Sequence, residues 1–434
     1  MGETVKLIIH RGSKEIGGSC VELVSRGARI ILDLGMPLVN EKREPFDSKI
    51  LKGKAIPELI NGHILPAVGG LYEGEERGID AILLSHSHQD HYGFLRYINP
   101  EIPIYMSPGV KTLIGISDLF IPIKANLRNV LTFEMWHPFT ISDLTITPYL
   151  VDHSGFDAAA FVIEGDGKKV FYSGDIRSHG RKRTLFEKLL SAPPEGIDCL
   201  LLEGSMLGRE NGQYLSESAV EEKLASIFKE KENIAFVFCS SQNIDRLVSI
   251  YRAVKRSGTL LVIDLYTAYI LDRLSVHSKH LPQFDWDEIR VKFFWHHANV
   301  LAGSNQKELL YKYNKAKIKI KEIDKNKKNV VMLMRDNSIF GACLRNLTDL
   351  EGALAIYSMW DGYVTDKFMD VLAKHGIRYE YVHTSGHAVV NDLQRLANAI
   401  NPKYVIPIHT FYPQDYPSLF RNVHLVEDDE EISI

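Results

Sequence analysis

The chain has 434 residues, two to three times the length of a typical domain, which predicts more than one hydrophobic core. Its composition, 45% hydrophobic and 24% charged, excludes a disordered, collagen-like or multi-span membrane protein. The 51 Lys and Arg against 55 Asp and Glu give a net charge of −4, which neither requires nor excludes a polyanionic partner.

The four cysteines lie far apart in the sequence and form no Cys-x-x-Cys pair. They predict neither a disulfide framework nor a thiolate zinc site, and they favour a reducing compartment. The sequence begins without an apolar signal core, and it contains no uninterrupted apolar run of about 18 residues. We therefore expect a cytoplasmic protein without a membrane partner.

Short apolar runs that stop at polar or glycine-rich corners dominate the first half of the chain. Runs this short and this rich in Ile, Leu and Val predict strands rather than helices. They are residues 29–34, 81–85, 144–151, 169–173 and 199–203.

The pattern changes between residues 210 and 372, where longer helical stretches such as 216–231 and 245–257 appear. Strands such as 234–239 separate them. This alternation predicts βαβ units, in which helices pack on a parallel sheet.

Short strands return at 379–383 and 404–409. Residues 204–375 contain 25 Lys and Arg against 21 Asp and Glu, a net charge of +4, which leaves −8 for the rest of the chain. Pattern and charge together predict an α/β domain at 204–375 inserted into another domain, formed by 1–203 and 376–434.

The strongest chemical signal is Ser-His-Ser-His-Gln-Asp-His at residues 85–91, directly after a predicted strand. Three imidazoles and a carboxylate at a strand exit can turn several donor atoms toward one point. In an extended loop, His86 and His88 would face one side, whereas Asp90 and His91 would face a second metal. A solvated polar loop is the alternative, and the ligand spacing argues against it.

Two further candidate ligands, His153 and Asp175, each follow a predicted strand. A carboxylate has two oxygens and can bridge two cations that lie about 3.5–4 Å apart. Taken alone, His153 is equally compatible with a hydrogen-bonded core residue and Asp175 with a turn cap. In this order after the 85–91 motif, they favour a dinuclear site.

The ordered set resembles the successive motifs of the metallo-β-lactamase superfamily: Asp33 in Ile-Leu-Asp-Leu-Gly, residues 86–91, His153 and Asp175. The resemblance implies an α/β fold, an αββα sandwich in which two sheets pack face to face between outer helices. It implies these metal ligands: His86, His88 and His153 for one ion, Asp90 and His91 for the other, and Asp175 for both. Asp33 would orient ligands rather than bind metal.

Three later segments resemble the additional motifs of the β-CASP nucleases, the branch that contains ribonuclease J: residues 200–205, 383–388 and 405–409. In that branch a β-CASP domain, a parallel sheet with helices, is inserted into the lactamase domain, as predicted here for 204–375. The resemblance implies that His409 completes the ligands of the second ion and that His387 faces the scissile phosphate. Glu203 would hold His387 by a hydrogen bond.

The same resemblance implies a mechanism. His387, protonated beside Glu203, would donate a proton to the leaving oxygen while a hydroxide activated by two zinc ions attacks the phosphate. The residues that would contact phosphate or nucleotide are Ser240, Ser241, Ser385 and Gly386. For the first two serines, a helix N-cap before the helix at 245–257 is the alternative.

The sequence departs from ribonuclease J in three ways. The Gly-Ser-Gln-Gly-Glu segment of ribonuclease J is absent, and Glu203 matches instead the branch of the pre-mRNA 3′-end endonuclease. The sequence ends 25 residues after His409 (434 − 409), so we expect the C-terminal oligomerisation domain of ribonuclease J to be missing. The sequence does not decide between exonuclease and endonuclease action, or whether the protein forms a homodimer.

The sequence therefore predicts a nuclease that uses two Zn²⁺ ions, or Mn²⁺ in their place, on single-stranded RNA. Replacement of His387 or Asp90 is expected to abolish hydrolysis. A DNA nuclease, a catalytically silent β-CASP binding subunit and a small-substrate hydrolase are the alternatives. Intact ligands argue against the silent subunit, and the insert argues against small substrates.

Overall fold

A computed structural model describes residues 5–40, 42–209 and 214–434. Within these ranges the chain divides into two compact units, of which the first contains 5–178, 182–209 and 386–434 and the second contains 179–181 and 214–385. The second unit is therefore inserted in the sequence of the first. None of the helices in the described ranges is both long and apolar enough to cross a bilayer.

The described residues form 20 strands and 14 α-helices. The strands are β1 (Lys6–Arg11), β2 (Cys20–Val24), β3 (Arg29–Leu32), β4 (Ala81–Leu83), β5 (Ile104–Met106), β6 (Val130–Thr132), β7 (Phe139–Ile141), β8 (Leu144–Leu150), β9 (Ala159–Gly165), β10 (Lys168–Tyr172), β11 (Cys199–Glu203), β12 (Ala235–Phe238), β13 (Leu260–Asp264), β14 (Ile289–Lys292), β15 (Lys317–Ile318), β16 (Val330–Met334), β17 (Leu354–Tyr357), β18 (Arg378–Tyr381), β19 (Tyr404–Ile408) and β20 (Glu431–Ser433). The α-helices are α1 (Ile56–Asn61), α2 (Gln89–Tyr92), α3 (Pro108–Phe120), α4 (Arg183–Ser191), α5 (Glu217–Glu230), α6 (Ile244–Ser257), α7 (Leu265–Leu274), α8 (Trp295–Ala302), α9 (Glu308–Tyr313), α10 (Ile320–Lys325), α11 (Ser338–Leu344), α12 (Asp366–Lys374), α13 (Val390–Ile400) and α14 (Tyr416–Leu419).

The first unit contains two sheets, with strand orders β20-β1-β2-β3-β4-β5-β6 and β19-β11-β10-β9-β8-β7. Successive side chains of a strand point to opposite faces, so each sheet supplies residues to two separate cores. Leu201 of β11 packs in the core shared by the two sheets, whereas its neighbours Leu200 and Leu202 pack in a different core. The two sheets therefore lie face to face around one apolar layer.

Helices cover the outer face of each sheet. Val110 and Ile114 of α3 are buried against the first sheet, at the four-residue spacing that places both on one helix face. Phe186 of α4 and Leu393 of α13 are buried against the second sheet. The first unit is thus the αββα sandwich that the sequence predicts.

The second unit is built on one parallel sheet with the order β15-β14-β13-β16-β12-β17-β18. This confirms the predicted α/β class with a parallel sheet and helices. The boundaries differ from the prediction. Strand β18 pairs in parallel with β17, from Leu354 opposite Arg378 to Tyr357 opposite Tyr381, and so belongs to the second unit rather than to the returning segment 376–434. The sequence shows that this segment is a short strand but not which strand it pairs with, and the pairing decides its unit.

Candidate metal centre

Five strands of the first unit lead into one cluster of polar side chains. The cluster follows β3, β4, β8, β10 and β19 in the chain, at residues 33, 86–91, 153, 175 and 409. Asp33 and His409 have the left-handed backbone conformation, with φ of 59° and 55°. Non-glycine residues adopt this conformation at a cost, and it concentrates at functional sites.

The side chains form two groups, within each of which the ligand atoms lie within 4.8 Å of one another. Asp175 belongs to both groups. The first group is His86, His88, His153 and Asp175, and the second is Asp90, His91, Asp175 and His409. The structure therefore brings together all seven ligands that the resemblance implies.

Nitrogen atoms converge in the first group. Nδ1 of His88 lies 3.1 Å from Nε2 of His86 and 3.2 Å from Nε2 of His153. Asp175 Oδ2 lies 3.5 Å from the same His86 nitrogen. Three imidazole nitrogens and a carboxylate oxygen around one point form the donor set of a tetrahedral zinc site.

Asp175 also faces the second group. Its Oδ2 lies 3.3 Å from Nε2 of His91, and its Oδ1 lies 3.8 Å from Nε2 of His409. Both Asp175 oxygens and both of these nitrogens are buried and have no hydrogen-bond partner among the described residues. Buried polar atoms rarely remain without a partner, and these four point toward one another. The donor set therefore fits a divalent cation.

Asp33 holds His91 from behind. Its Oδ2 accepts hydrogen bonds from His91 Nδ1 and from the hydroxyls of Ser85 and Tyr172, each at 2.7 Å. Its Oδ1 accepts the backbone N–H of Ser85, also at 2.7 Å. With Nδ1–H engaged, His91 presents Nε2 to the cluster. Sequence reasoning missed Ser85 and Tyr172, because nothing in their local pattern reveals a partner on another strand.

Two more candidate ligands also have a contact at Nδ1. His153 Nδ1 donates to the backbone carbonyl of Gly386 at 2.7 Å. His409 Nδ1 lies 3.0 Å from the hydroxyl of Ser19 and 3.2 Å from the backbone nitrogen of Gly17. Gly386 therefore supplies a carbonyl to a ligand, a contact that the predicted phosphate-binding role does not include.

Burial sets the charge of most of the imidazoles. Removal from water disfavours the imidazolium form and lowers the pKa of His86, His88, His153 and His409. Neutral imidazole is the form that binds metal. For His91 burial acts in the same sense, but the carboxylates of Asp175 and Asp33 outweigh it and raise its pKa.

His387 lies beside the cluster and contacts Glu203. Its Nδ1 is 3.3 Å from Oε1 of Glu203 and 3.8 Å from Oδ2 of Asp175. Burial alone would lower the pKa of His387, but the charges of these two carboxylates raise it to about 9. The two carboxylates therefore favour the protonated form of His387. Glu203 is itself fully buried and also accepts the backbone N–H of Ser205 at 3.0 Å.

Three predicted phosphate ligands lie in the second unit. The hydroxyl of Ser241 is buried and engaged by Thr267 at 2.7 Å and Arg335 at 3.0 Å. The Ser240 hydroxyl accepts the backbone N–H of Gln242 at 3.2 Å. Neither serine is the N-cap of α6, because Asn243 occupies that position.

Ser385 is the third of these residues, and its backbone carbonyl is 3.0 Å from Nε2 of His179. Both residues belong to the second unit. Ser385 is buried, with 8% of its surface exposed. Its predicted role at a phosphate stays a prediction.

Comparison with known proteins adds family information. Residues 62–224 match the beta-lactamase superfamily domain, and residues 376–414 match the Zn-dependent metallo-hydrolase RNA specificity domain. The chain is 24% identical over 421 residues to ribonuclease J of Mycoplasma genitalium, covering 93% of this chain and 67% of that protein. It is 22% identical over 453 residues to ribonuclease J of Helicobacter pylori strain B128, covering 99% and 61%. The chain thus spans about two thirds or less of the length of these relatives.

A solved structure has the same fold. The crystal structure of a protein of unknown function from Enterococcus faecalis V583 superimposes with a TM-score of 0.81 and 23% sequence identity. The superposition covers 99% of this chain and 100% of that one. Together with the superfamily match, it confirms the predicted fold class.

Proposed function

We propose that the chain belongs to the ribonuclease J-like β-CASP branch of the metallo-β-lactamase superfamily and that it hydrolyses phosphodiester bonds of single-stranded RNA. One observation carries the proposal. A buried carboxylate, Glu203, lies 3.3 Å from Nδ1 of His387, beside two ligand groups that share Asp175. A metal pair and an adjacent acid are the groups needed to displace a poor leaving oxygen from phosphate.

Two zinc ions suit the centre, because imidazole nitrogens outnumber carboxylates. Manganese, which prefers oxygen ligands, is the second choice. His86, His88 and His153 would hold one ion and Asp90, His91 and His409 the other, with Asp175 between them. When bound, such ions supply positive charge to the phosphate oxygens and the nucleophile for hydrolysis.

The protein's own residues move and hold the protons. With Nδ1 on Glu203, His387 donates the proton on Nε2 to the leaving oxygen of the strand. Glu203 accepts the hydrogen bond from Nδ1 and so orients the imidazolium before the transfer. Asp90 Oδ2 lies 3.9 Å from His91 Nε2 and 3.8 Å from His409 Nε2. Its carboxylate therefore completes the second ligand group together with these two imidazoles and Asp175.

The test uses end-labelled RNA and DNA oligonucleotides of matched sequence with the zinc-loaded or manganese-loaded protein. The parent should shorten the RNA, and the His387→Ala variant should lose about 10²- to 10⁴-fold in rate. The Asp90→Ala variant should lose at least as much. The His137→Ala variant is the control, since this side chain is 73% exposed, and it should retain the parent rate.

Other outcomes separate the alternatives. Cleavage of DNA alone would identify a DNA nuclease, and full activity of either His387→Ala or Asp90→Ala would contradict the proposed chemistry. A zinc-loaded parent that cleaves neither strand would indicate a binding subunit or a hydrolase of smaller substrates.

A further inference from the structure

A short loop stands next to the metal centre in the first unit. This rim loop comprises residues 37–40 and 42–46, and its two sides meet in a bridge between Val39 and Pro45. Asn40 closes it, because its backbone N–H donates to the carbonyl of Glu44 at 2.8 Å and its side-chain oxygen accepts the N–H of Glu44 at 3.0 Å. The loop is therefore internally hydrogen-bonded.

The base of the rim loop contacts the segments that carry two ligands. Pro37 pairs with Gly17, whose backbone nitrogen lies 3.2 Å from Nδ1 of His409. Met36, the residue before the loop, donates its N–H to the carbonyl of Gln89 at 2.9 Å, one residue before Asp90. The loop thus extends from the same backbone that positions the second ligand group.

Arg43 projects from this loop onto two aromatic rings. Its guanidinium carbon lies 4.9 Å from the ring centre of Phe411 and 5.9 Å from that of Tyr412, two and three residues after His409. Arg43 is exposed, and no carboxylate among the described residues pairs with it. A guanidinium held by one face over a ring keeps its N–H edge available to a second partner.

The aromatic platform is itself fixed. Gly208 has a φ of 70°, and a Cβ at this position would overlap the ring of Tyr412, so the ring packs directly on backbone. The Tyr412 N–H donates to the hydroxyl of Thr410 at 3.1 Å. The ring of Tyr412, the farther of the two from Arg43, is therefore held in place by the backbone on which it packs.

We propose that Arg43 binds a backbone phosphate of the RNA strand next to the one that is hydrolysed, with Phe411 orienting the guanidinium. The proposal rests on the proposed function, because only a polyanionic strand places a second phosphate beside the reacting one. The planar N–H edge of arginine matches two phosphate oxygens at once. The cation–π contact restricts the side chain before the strand arrives, which lowers the entropy lost on binding.

Binding is measured in a zinc-loaded His387→Ala background, in which turnover is slow. The fluorescence anisotropy of a labelled single-stranded RNA gives Kd at a series of salt concentrations. The Arg43→Gln variant should raise Kd by about tenfold. It should also reduce the slope of log Kd against log salt concentration by about 0.7, the value for one lost phosphate contact on a single strand.

Two variants separate charge from orientation. The Arg43→Lys variant keeps the charge, so the salt slope should stay at the parent value while Kd rises by about threefold. The Phe411→Leu variant removes the ring beneath the guanidinium, and it should also raise Kd by about threefold at an unchanged slope. Thermal unfolding of each variant checks that the rise in Kd does not come from a loss of folded protein.

The matched control is Arg421→Gln, which removes another exposed arginine of the first unit, beside Gln394 and Asn398. Its Kd and salt slope should equal those of the background protein. If Arg43→Gln behaves like this control, the assignment of Arg43 is wrong although RNA binding stands. If the zinc-loaded background binds no RNA at all, both this assignment and the proposed function are overturned.

Discussion

The orientation of each candidate ligand imidazole depends on the hydrogen bond that its other ring nitrogen makes. The structure uses a backbone carbonyl for His153 and a carboxylate for His91. A backbone carbonyl is the same whatever residue stands at Gly386, whereas the Asp33 carboxylate can be replaced by mutation. Asp33 is thus the point at which the orientation of a ligand can be tested without removing the ligand itself.

The Asp33→Asn variant should weaken zinc binding at the second ligand group by about 10- to 100-fold. An amide places an N–H₂ near His91 Nδ1 or Tyr172, where the carboxylate accepts hydrogen bonds from both. Competition with a chelator measures the affinity. The Asp143→Asn variant removes a carboxylate that accepts from Ser25 and Gly27 instead, and equal affinity in the two variants would contradict the role of Asp33.

The proposed role of His387 as the acid predicts how hydrolysis depends on pH. The carboxylate of Glu203 raises the pKa of His387, which carries its proton below that pKa and loses it as the pH rises through it, so kcat should fall on the alkaline side. The Glu203→Gln variant lacks the main charge that counteracts the effect of burial on His387, so the pKa of His387 decreases. The alkaline limb of the pH–rate profile should therefore move to lower pH.

The control for that profile is Glu22→Gln, which also removes a carboxylate beside a histidine. Glu22 contacts His10 at 2.7 Å, outside both ligand groups. The shape of its pH–rate profile should match that of the parent. An unshifted profile in Glu203→Gln would show that another group sets the alkaline limb.

At the scale of elements, parallel pairing aligns the strand ends that carry the centre. Strands β10, β11 and β19 are neighbours, with Tyr172 opposite Leu201 and Leu201 opposite Ile406. Their carboxyl ends therefore reach the same edge of the sheet, where Asp175, Glu203 and His409 follow or end them. Asp175, Glu203 and His409 come together because the buried core fixes the register of these three strands.

Helix α2 is held against the exit of β3 by a close approach at Gly35. A Cβ at this position would overlap the backbone carbonyl of Asp90. The Gly35→Ala variant should therefore displace α2, together with Asp90 and His91. We expect bound zinc to fall from two ions toward one and hydrolysis to fall by about 100-fold or more, since a misplacement of about 1 Å has that effect.

The matched substitution is Gly115→Ala, in the middle of α3. No atom lies within 4 Å of a Cβ built at Gly115, so the change introduces no overlap. Alanine is the better helix former by about 1 kcal/mol, and this variant should be as stable as the parent or more so, with unchanged zinc. Metal analysis of both purified variants decides, and two zinc ions in Gly35→Ala would refute the close-approach argument.

At the scale of the whole molecule, the sequence predicted what local pattern encodes and missed what depends on distant partners. The 85–91 motif predicts metal ligands because several donor side chains lie close together in the sequence. The hydrogen bond between the hydroxyls of Ser241 and Thr267 cannot be predicted from the sequence. A serine after a strand has the same local pattern whether it binds a ligand or a neighbouring side chain. Strand β18 was misassigned for the same reason, because its pairing with β17 and not its composition decides its unit.

The stability of the molecule should depend on metal. Four buried atoms of Asp175, His91 and His409 lack partners among the described residues, and metal binding would satisfy them in the folded state. Zinc at about 100 times its Kd should stabilise the folded chain by about 2.7 kcal/mol per site, which corresponds to a rise of several degrees in the unfolding temperature. All four cysteines are buried, so thiols released on unfolding would bind zinc and reduce this rise. Calorimetry with zinc and with chelator measures it, and the Asp175→Ala variant should lose most of the difference. Equal midpoints in zinc and in chelator for the parent protein would contradict metal binding by this cluster.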